Sequence, residues 1–291
     1  MTALRDIAWA KVNLTLRVLG RRADGFHELE SLIAFVGLGD SVELTPGEGL
    51  DLVVEGPFAG ALGRDNLILK AAEAAKAAAP VLRLGRFRLV KILPVAAGIG
   101  GGSADAAAAL RLLVRAGNGA FTEGAAAALA SALGSDVSVC LGSRPALVTG
   151  RGERVEPIIG FPACALLLAN PALPLATTDV YRALEAEPMA SPPATAGLGG
   201  FAGDFDRLLA YLKSRRNDLE SPALCLAPAV GDVLDTLRAL PGARVARMSG
   251  SGPTCFALFA TTREAQGAAT ALAQAQPGWW IAAGSLGSPQ L

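Results

Sequence analysis

The chain lacks most of what nucleophilic or metal-centred catalysis requires. Its 291 residues hold one histidine, His27, so a Ser-His-Asp triad is open only if His27 serves it, and a multi-histidine metal site is excluded. The four cysteines, at 140, 164, 225 and 255, stand far apart with no Cys-x-x-Cys pair. That spacing argues against zinc and against a disulfide framework, and predicts buried thiols. Charge is sparse and balanced, 26 Lys and Arg against 26 Asp and Glu, which gives no bias toward nucleic acid or an anionic membrane. No apolar run reaches the ~18 residues of a membrane span without a charge, glycine or proline, and the opening MTALRDIAWAKVNL has no signal-peptide core. These absences predict a cytoplasmic protein of about two domains. They point to a small-molecule partner, to neither nucleic acid nor membrane, and to acid–base work by carboxylates and lysines, and they leave the oligomeric state open.

What is present centres on Pro94-Val-Ala96-Ala-Gly98-Ile-Gly100-Gly101-Gly102-Ser103. A strand-like run over 86–93 leads into this loop, and an Ala/Leu helix pattern follows from about Ser103. Glycines at 98, 100, 101 and 102 lift the steric bar on positive φ, so successive backbone N–H groups can turn toward one point. Ser103 and Asp105 fall where a helix cap and first turn are expected, beside the partial positive charge of the helix start. A polyphosphate is the natural guest. The loop has no lysine before Arg111, so it is not a Walker A loop, and its spacing from the strand fits a dinucleotide fingerprint poorly.

From Lys11 the first segment alternates, which places Lys11, Asn13, Thr15 and Arg17 on one face of a strand: solvated surface or the wall of a site. Asp24-Gly25 marks a turn, with Phe26 and His27 just past it. A ring beside a histidine can bracket a heteroaromatic base. Separate strands are predicted over 31–36, 40–44 and 50–54, then a helix capped by Asp65 or Asn66. A second Ala-rich helix runs over about 122–133, and Asp136 follows in a turn before an apolar VSVC run, a turn aspartate or an acid–base group. In the second half, strands are expected near 146–149, 164–169, 255–260 and 279–283. Helices are expected from a Thr177 or Thr178 cap through Leu184, and over 205–213, 229–240 and 262–274. The Pro/Gly-rich stretch 187–203 reads as a flexible surface excursion.

Three motifs in order resemble those of the GHMP kinase superfamily: Lys11-x-Asn13, PVAAGIGGGSADAAAAL over 94–110, and MSGSGPTCFALF over 248–259. The resemblance implies an α+β, two-domain fold. Residues 1–156 would form an ATP-binding N-terminal domain like ribosomal protein S5 domain 2, residues 157–291 a ferredoxin-like C-terminal domain, and the active site would lie in the cleft between them. Within the superfamily, Arg22-Ala-Asp24-Gly25-Phe26-His27-Glu28-Leu29 is similar to the segment of a branch that phosphorylates the 2-hydroxyl of a cytidine diphosphate-linked methylerythritol, a step of non-mevalonate isoprenoid precursor biosynthesis. Gly134-Ser-Asp136-Val is similar to that branch's catalytic segment, with Ser138 where proline is common. The resemblance makes Asp136 the base and Lys11 the cation beside it. Gly98 to Ser103, with Pro94, Ala96 and Asn66, would bind ATP, while Mg²⁺ on Ser103 or Asp136 would offset charge that a lysine-free loop leaves. His27 would bond the cytosine edge, Phe26 would stack on the ring where tyrosine is usual, and Tyr181 would cover the opposite face. Asn13, Thr177, Gly250 and Ser251 would line the acceptor side. Two alternatives stay open: a GHMP kinase for homoserine or mevalonate, and a catalytically silent nucleotide sensor.

Overall fold

The computed structural model describes residues 2–63, 66–191 and 197–289. In the first half, strands Leu4–Asn13 (β1), Arg17–Arg21 (β2), His27–Thr45 (β3) and Leu50–Glu55 (β4) precede helix Leu67–Ala78 (α1) and strand Gly85–Val90 (β5). Helices Gly101–Ala116 (α2), Glu123–Leu133 (α3) and Ser135–Gly142 (α4) follow, then strands Ala146–Gly150 (β6) and Arg154–Pro157 (β7). The second half runs through Cys164–Asn170 (β8), Thr177–Ala183 (α5), Phe205–Lys213 (α6), Glu220–Leu226 (α7), Ala229–Ala239 (α8), Val245–Met248 (β9), Cys255–Phe259 (β10), Thr262–Ala275 (α9) and Trp280–Gly287 (β11).

One sheet of 11 strands joins the two halves, in the order β4-β5-β3-β11-β8-β10-β9, with β1, β2 and β6 also pairing with β3. The 19-residue β3 is its spine. The sequence predicts two strands here, and the structure joins them through Gly37-Leu38-Gly39. A Cβ on Gly39 would lie 2.3 Å from the Ala8 carbonyl oxygen and one on Gly37 2.5 Å from Ser285 Oγ, so β1 and β11 approach closely enough to carry the strand through. A bulge at Trp9/Ala10 then resets the β1 register so that Lys11 faces Phe35 and Asn13 faces Ile33 across the ladder.

Alanine composition sets the packing of the first half. Ala106, Ala107, Ala108 and Ala109 of α2 are wholly buried, and their small side chains let α2 settle among α1, α3, α4 and the sheet in one core. In the second half β8 and β10 are buried on both faces, which explains their unbroken apolar runs CALLLAN and CFALF. Alternation still divides them. Leu166, Leu168, Phe256 and Leu258 pack with Leu208 and Leu212 of α6, whereas Leu167, Ala257 and Phe259 pack with α8 and α9 through Val233, Leu237, Ala265 and Leu272. Asn66 caps α1 by accepting from Ile68 N at 2.8 Å; the alternative cap, Asp65, lies outside the described residues. Thr261 and Glu264 close a capping box on α9.

Several expectations are corrected. Helix α2 starts earlier than predicted: Gly100, in the left-handed region, is its N-cap, and no side chain caps it, so Ser103 lies inside the first turn. The apolar VSVC run is helical, and Asp136, read as a turn aspartate or an acid–base group, sits in the first turn of α4. Neither Thr177 nor Thr178 caps α5, whose N-cap is Ala176. Strand β1 ends at Asn13, so the alternation does not continue through Thr15, whose Oγ1 accepts from Leu32 N. The stretch 187–203 is docked at both ends: Arg21 N bonds Glu187 O and Met189 N bonds Arg21 O at 2.8 Å each, and Phe201 is buried. Its centre, 192–196, lies outside the described residues. Three cysteines are buried as expected, but Cys225 is exposed.

Candidate active site

The three motifs meet. At the end of β1, Lys11 N donates to Ile99 O (3.0 Å), which fixes the glycine loop against the strand. Asn13 N donates to Ser249 Oγ (3.2 Å), and Ser249 Oγ donates to Gly98 O (3.0 Å), so one hydroxyl joins the first, second and third motifs. Gly98, at φ +74°, lies so close to the third motif that a Cβ would come 2.6 Å from Ser249 O and 2.7 Å from Gly252 O. Only glycine fits there.

Lys11, 4 % exposed, reaches across β1 to place Nζ 2.9 Å from Asp136 Oδ2 and 3.1 Å from Asn13 Oδ1. Asn13 is itself oriented by donating Nδ2 to Ser31 Oγ at 2.8 Å. Asp136 keeps about half of its side chain open to the cleft (49 %). A buried, pre-aimed cation therefore meets a carboxylate that is half open to solvent. Within the same cleft of about 320 Å³ lie Ala96, Gly98, Gly100, Gly101, Gly102 and Ser103, and opposite them Thr177, Tyr181, Gly250 and Ser251. The unpaired N–H groups of the α2 start join this wall. Asn66 and Pro94 are not among its described lining residues; the Asn66 side-chain oxygen is occupied by its own helix cap.

A second cleft, about 580 Å³, adjoins the first and shares Leu29, Thr177 and Tyr181 with it. Phe26, His27, Arg21 and Arg151 line it. His27 and Tyr181 stack on each other, with centroids 4.9 Å apart and planes inclined by 34°. Tyr181, in contact with His27, lines this cleft together with Phe26. Burial, and then the charge of Arg21, hold the His27 pKa below its usual value, which favours a neutral ring able both to donate and to accept. The turn that carries Phe26 is held by Arg22, which bonds the buried Glu28 and also Asp24, while Asp24 Oδ1 accepts from Phe26 N.

Sequence reasoning missed two supports. Asn217, 4 % exposed, donates Nδ2 to Met248 O (2.9 Å) and Gly250 O (2.7 Å), which shapes the third motif from a segment some 30 residues earlier. Beneath the glycine loop, Lys91 Nζ lies 2.6 Å from both Asp40 and Asp105, and all three side chains are almost fully buried. Burial, aided by the neighbouring Asp40 charge, pushes the Asp105 carboxyl up to about 7. Asp105 Oδ1 has no hydrogen-bond partner among the described residues. An aspartate in the first turn of a helix behind a glycine loop gave a local signal for a cap, but only the fold shows it turned inward.

A sheet continuous through both halves, a glycine-loop anion cradle and a Lys–Asp pair facing it define a small-molecule kinase of the GHMP type. Residues 66–144 match the GHMP kinases N terminal domain and residues 196–278 the GHMP kinases C terminal family. The chain is 49% identical over 294 residues to the 4-diphosphocytidyl-2-C-methyl-D-erythritol kinase of Rhodopseudomonas palustris, covering 97% of each chain. It is 51% identical to that of Methylobacterium radiotolerans, covering 97% of this chain and 98% of the relative. A solved 4-(cytidine 5'-diphospho)-2C-methyl-D-erythritol kinase superposes with a TM-score of 0.76 at 36% identity, covering 98% of this chain and 99% of the other. A homoserine kinase from Cytophaga hutchinsonii, at 18% identity and TM-score 0.73, shares the fold. The chain belongs to the 4-diphosphocytidyl-2-C-methyl-D-erythritol kinase family.

Proposed function

We propose that this kinase transfers the terminal phosphoryl group of ATP to the 2-hydroxyl of 4-diphosphocytidyl-2-C-methyl-D-erythritol, giving the 2-phosphate and ADP, in the cytoplasm, as a step of non-mevalonate isoprenoid precursor biosynthesis. The observation that carries the reading is the Lys11–Asp136 pair, 2.9 Å apart, on a cleft that opens on one side to the glycine loop and on the other to the aromatic cleft. The N–H groups around Gly98 to Ser103 hold the triphosphate, with Ala96 on the same wall. Asp136 takes the hydroxyl proton as the acceptor oxygen bonds to phosphorus and the bond to the ADP oxygen breaks. Lys11 offsets charge on the group in transit. Asn13, which bonds Lys11 Nζ, keeps that ammonium aimed. Phe26 and His27 hold the cytosine, and Thr177, Gly250 and Ser251 line the acceptor path; Thr177 Oγ1 and Ser251 Oγ, 2.8 Å apart, tie the start of α5 to the third motif along that wall.

Among the described residues there is no group of three or more His, Cys, Asp or Glu able to hold a metal by itself. That fits a Mg²⁺ carried mainly on nucleotide oxygens, with Ser103 or Asp136, both on the cleft wall, completing its shell. When bound it neutralises negative charge on the triphosphate.

An ADP-release assay with the cytidylated methylerythritol, mevalonate and homoserine as separate acceptors tests the assignment. Turnover is expected with the first alone. Turnover with mevalonate or homoserine and none with the cytidylated compound would overturn it.

A further inference from the structure

The tip between β6 and β7, Arg151-Gly152-Glu153, carries a side chain that the scheme above does not use. Its backbone is fixed next to the base. Ser135 Oγ donates to Arg151 O at 3.1 Å, one residue before Asp136, and Gly152, at φ +108°, packs so tightly that a Cβ would lie 2.7 Å from Ser135 Cβ. The Arg151 side chain extends the other way. Its guanidinium lies over the Phe26 ring, 4.9 Å from the centroid, on the wall of the aromatic cleft. Other arginines around this turn are engaged: Arg22 and Arg154 bond Glu28, and Arg182 bonds Asp179. Asp24, already bonded by Arg22, feels the Arg151 charge, but no ion pair to Arg151 is present among the described residues.

We propose that Arg151 binds the diphosphate bridge of the acceptor substrate and so determines its specificity for a nucleoside diphosphate ester over a neutral nucleoside. The inference rests on the functional reading above. With the ring beside His27 and the acceptor hydroxyl at Asp136, the bridge must cross the seam between the clefts. The tip that is tied to Ser135 and reaches Phe26 spans that seam. Arg21 is the competing cation, but its charge acts on His27, at the ring end. With Arg182 paired to Asp179, the cleft lining keeps Arg21 and Arg151 against the single acid Glu185, a balance that favours an anion. A planar fork resting on an aromatic face is pre-organised for two phosphate oxygens at once.

The test is calorimetric binding of CDP, CMP and cytidine to the full chain, with the nucleotide cleft filled by adenosine 5′-(β,γ-imido)triphosphate, for wild type, Arg151→Gln and Arg151→Lys. The glutamine variant is expected to bind CDP roughly 10- to 100-fold more weakly while cytidine affinity stays within about twofold, with lysine restoring part of the loss. Arg151 is exposed, so both variants should melt with wild type. An equal loss for cytidine and CDP, or no loss for either, overturns the proposal while leaving the functional reading intact. Wild type that binds neither ligand overturns the ring assignment and this proposal with it.

Discussion

Replacing Asp105 with asparagine should stabilise the protein, and by more at pH 8 than at pH 5. Lys91 is one cation between two buried carboxylates, so with both ionised the cluster holds a net negative charge where water cannot reach it. The native state answers by holding a proton: burial pushes Asp105 up to about 7, against ~3.9 in the unfolded chain. Between those values the native state binds more protons than the unfolded one, and stability falls as pH rises. The contribution is full below the unfolded value and gone above the folded one. Taking these two values, the wild type loses roughly 3 kcal/mol from this residue between pH 5 and pH 8. Asparagine can still accept from Lys91 and carries no charge, so it escapes that loss. Other titrating groups cancel in the comparison. Thermal melts of both proteins at pH 5, 6, 7 and 8 read it out: the melting-temperature gap between variant and wild type should widen by about 5–10 °C from pH 5 to pH 8. Parallel curves, or a variant that is less stable at pH 8, would refute the reasoning.

Three further outcomes follow from the cleft. Asp136→Asn should lower single-turnover rates by ~100- to 10,000-fold while ATP affinity, measured by titration, moves by less than about threefold; near-normal turnover would remove Asp136 as the base. Gly98→Ala sets a methyl against the Ser249 and Gly252 carbonyls at a positive φ, and is expected to destabilise by roughly 2–4 kcal/mol in urea unfolding and to weaken ATP binding more than acceptor binding. Because burial and Arg21 keep His27 neutral below its usual range, KM for the acceptor should be flat from pH 8 down to about 6.5 and rise below it, a dependence that His27→Gln abolishes.

The sequence made the site legible where its chemistry is local. Glycines that must adopt positive φ, the Lys11-x-Asn13 pair and the Asp24-Gly25 turn each announce themselves within a few residues, and the structure brings all of them to adjoining clefts. What stayed hidden depends on contacts between distant segments. Nothing around Asn217 says that its amide shapes the loop at Gly250, and nothing near Lys91 reveals two buried aspartates from β3 and α2. Composition also misled in particular places. Asp136-Val137-Ser138-Val139 has the period of a strand, yet with Gly134 opening it and α2 to cover Val137 and Val139 it winds into α4. Gly37 and Gly39 look like breaks between strands, but close approach by neighbouring chain segments turns them into the middle of one.

The place of β11 in the sheet bears on how the polypeptide is made. Last in chain order among the described strands, it sits between β3 and β8 and pairs with both. During translation everything before residue 280 can emerge while the centre of the sheet still has a vacant slot, with two unsatisfied backbone ladders facing one another. A stop codon before residue 280 would therefore leave a hole in the middle of the sheet, not a frayed end, and its bare edges would recruit other nascent chains into aggregates.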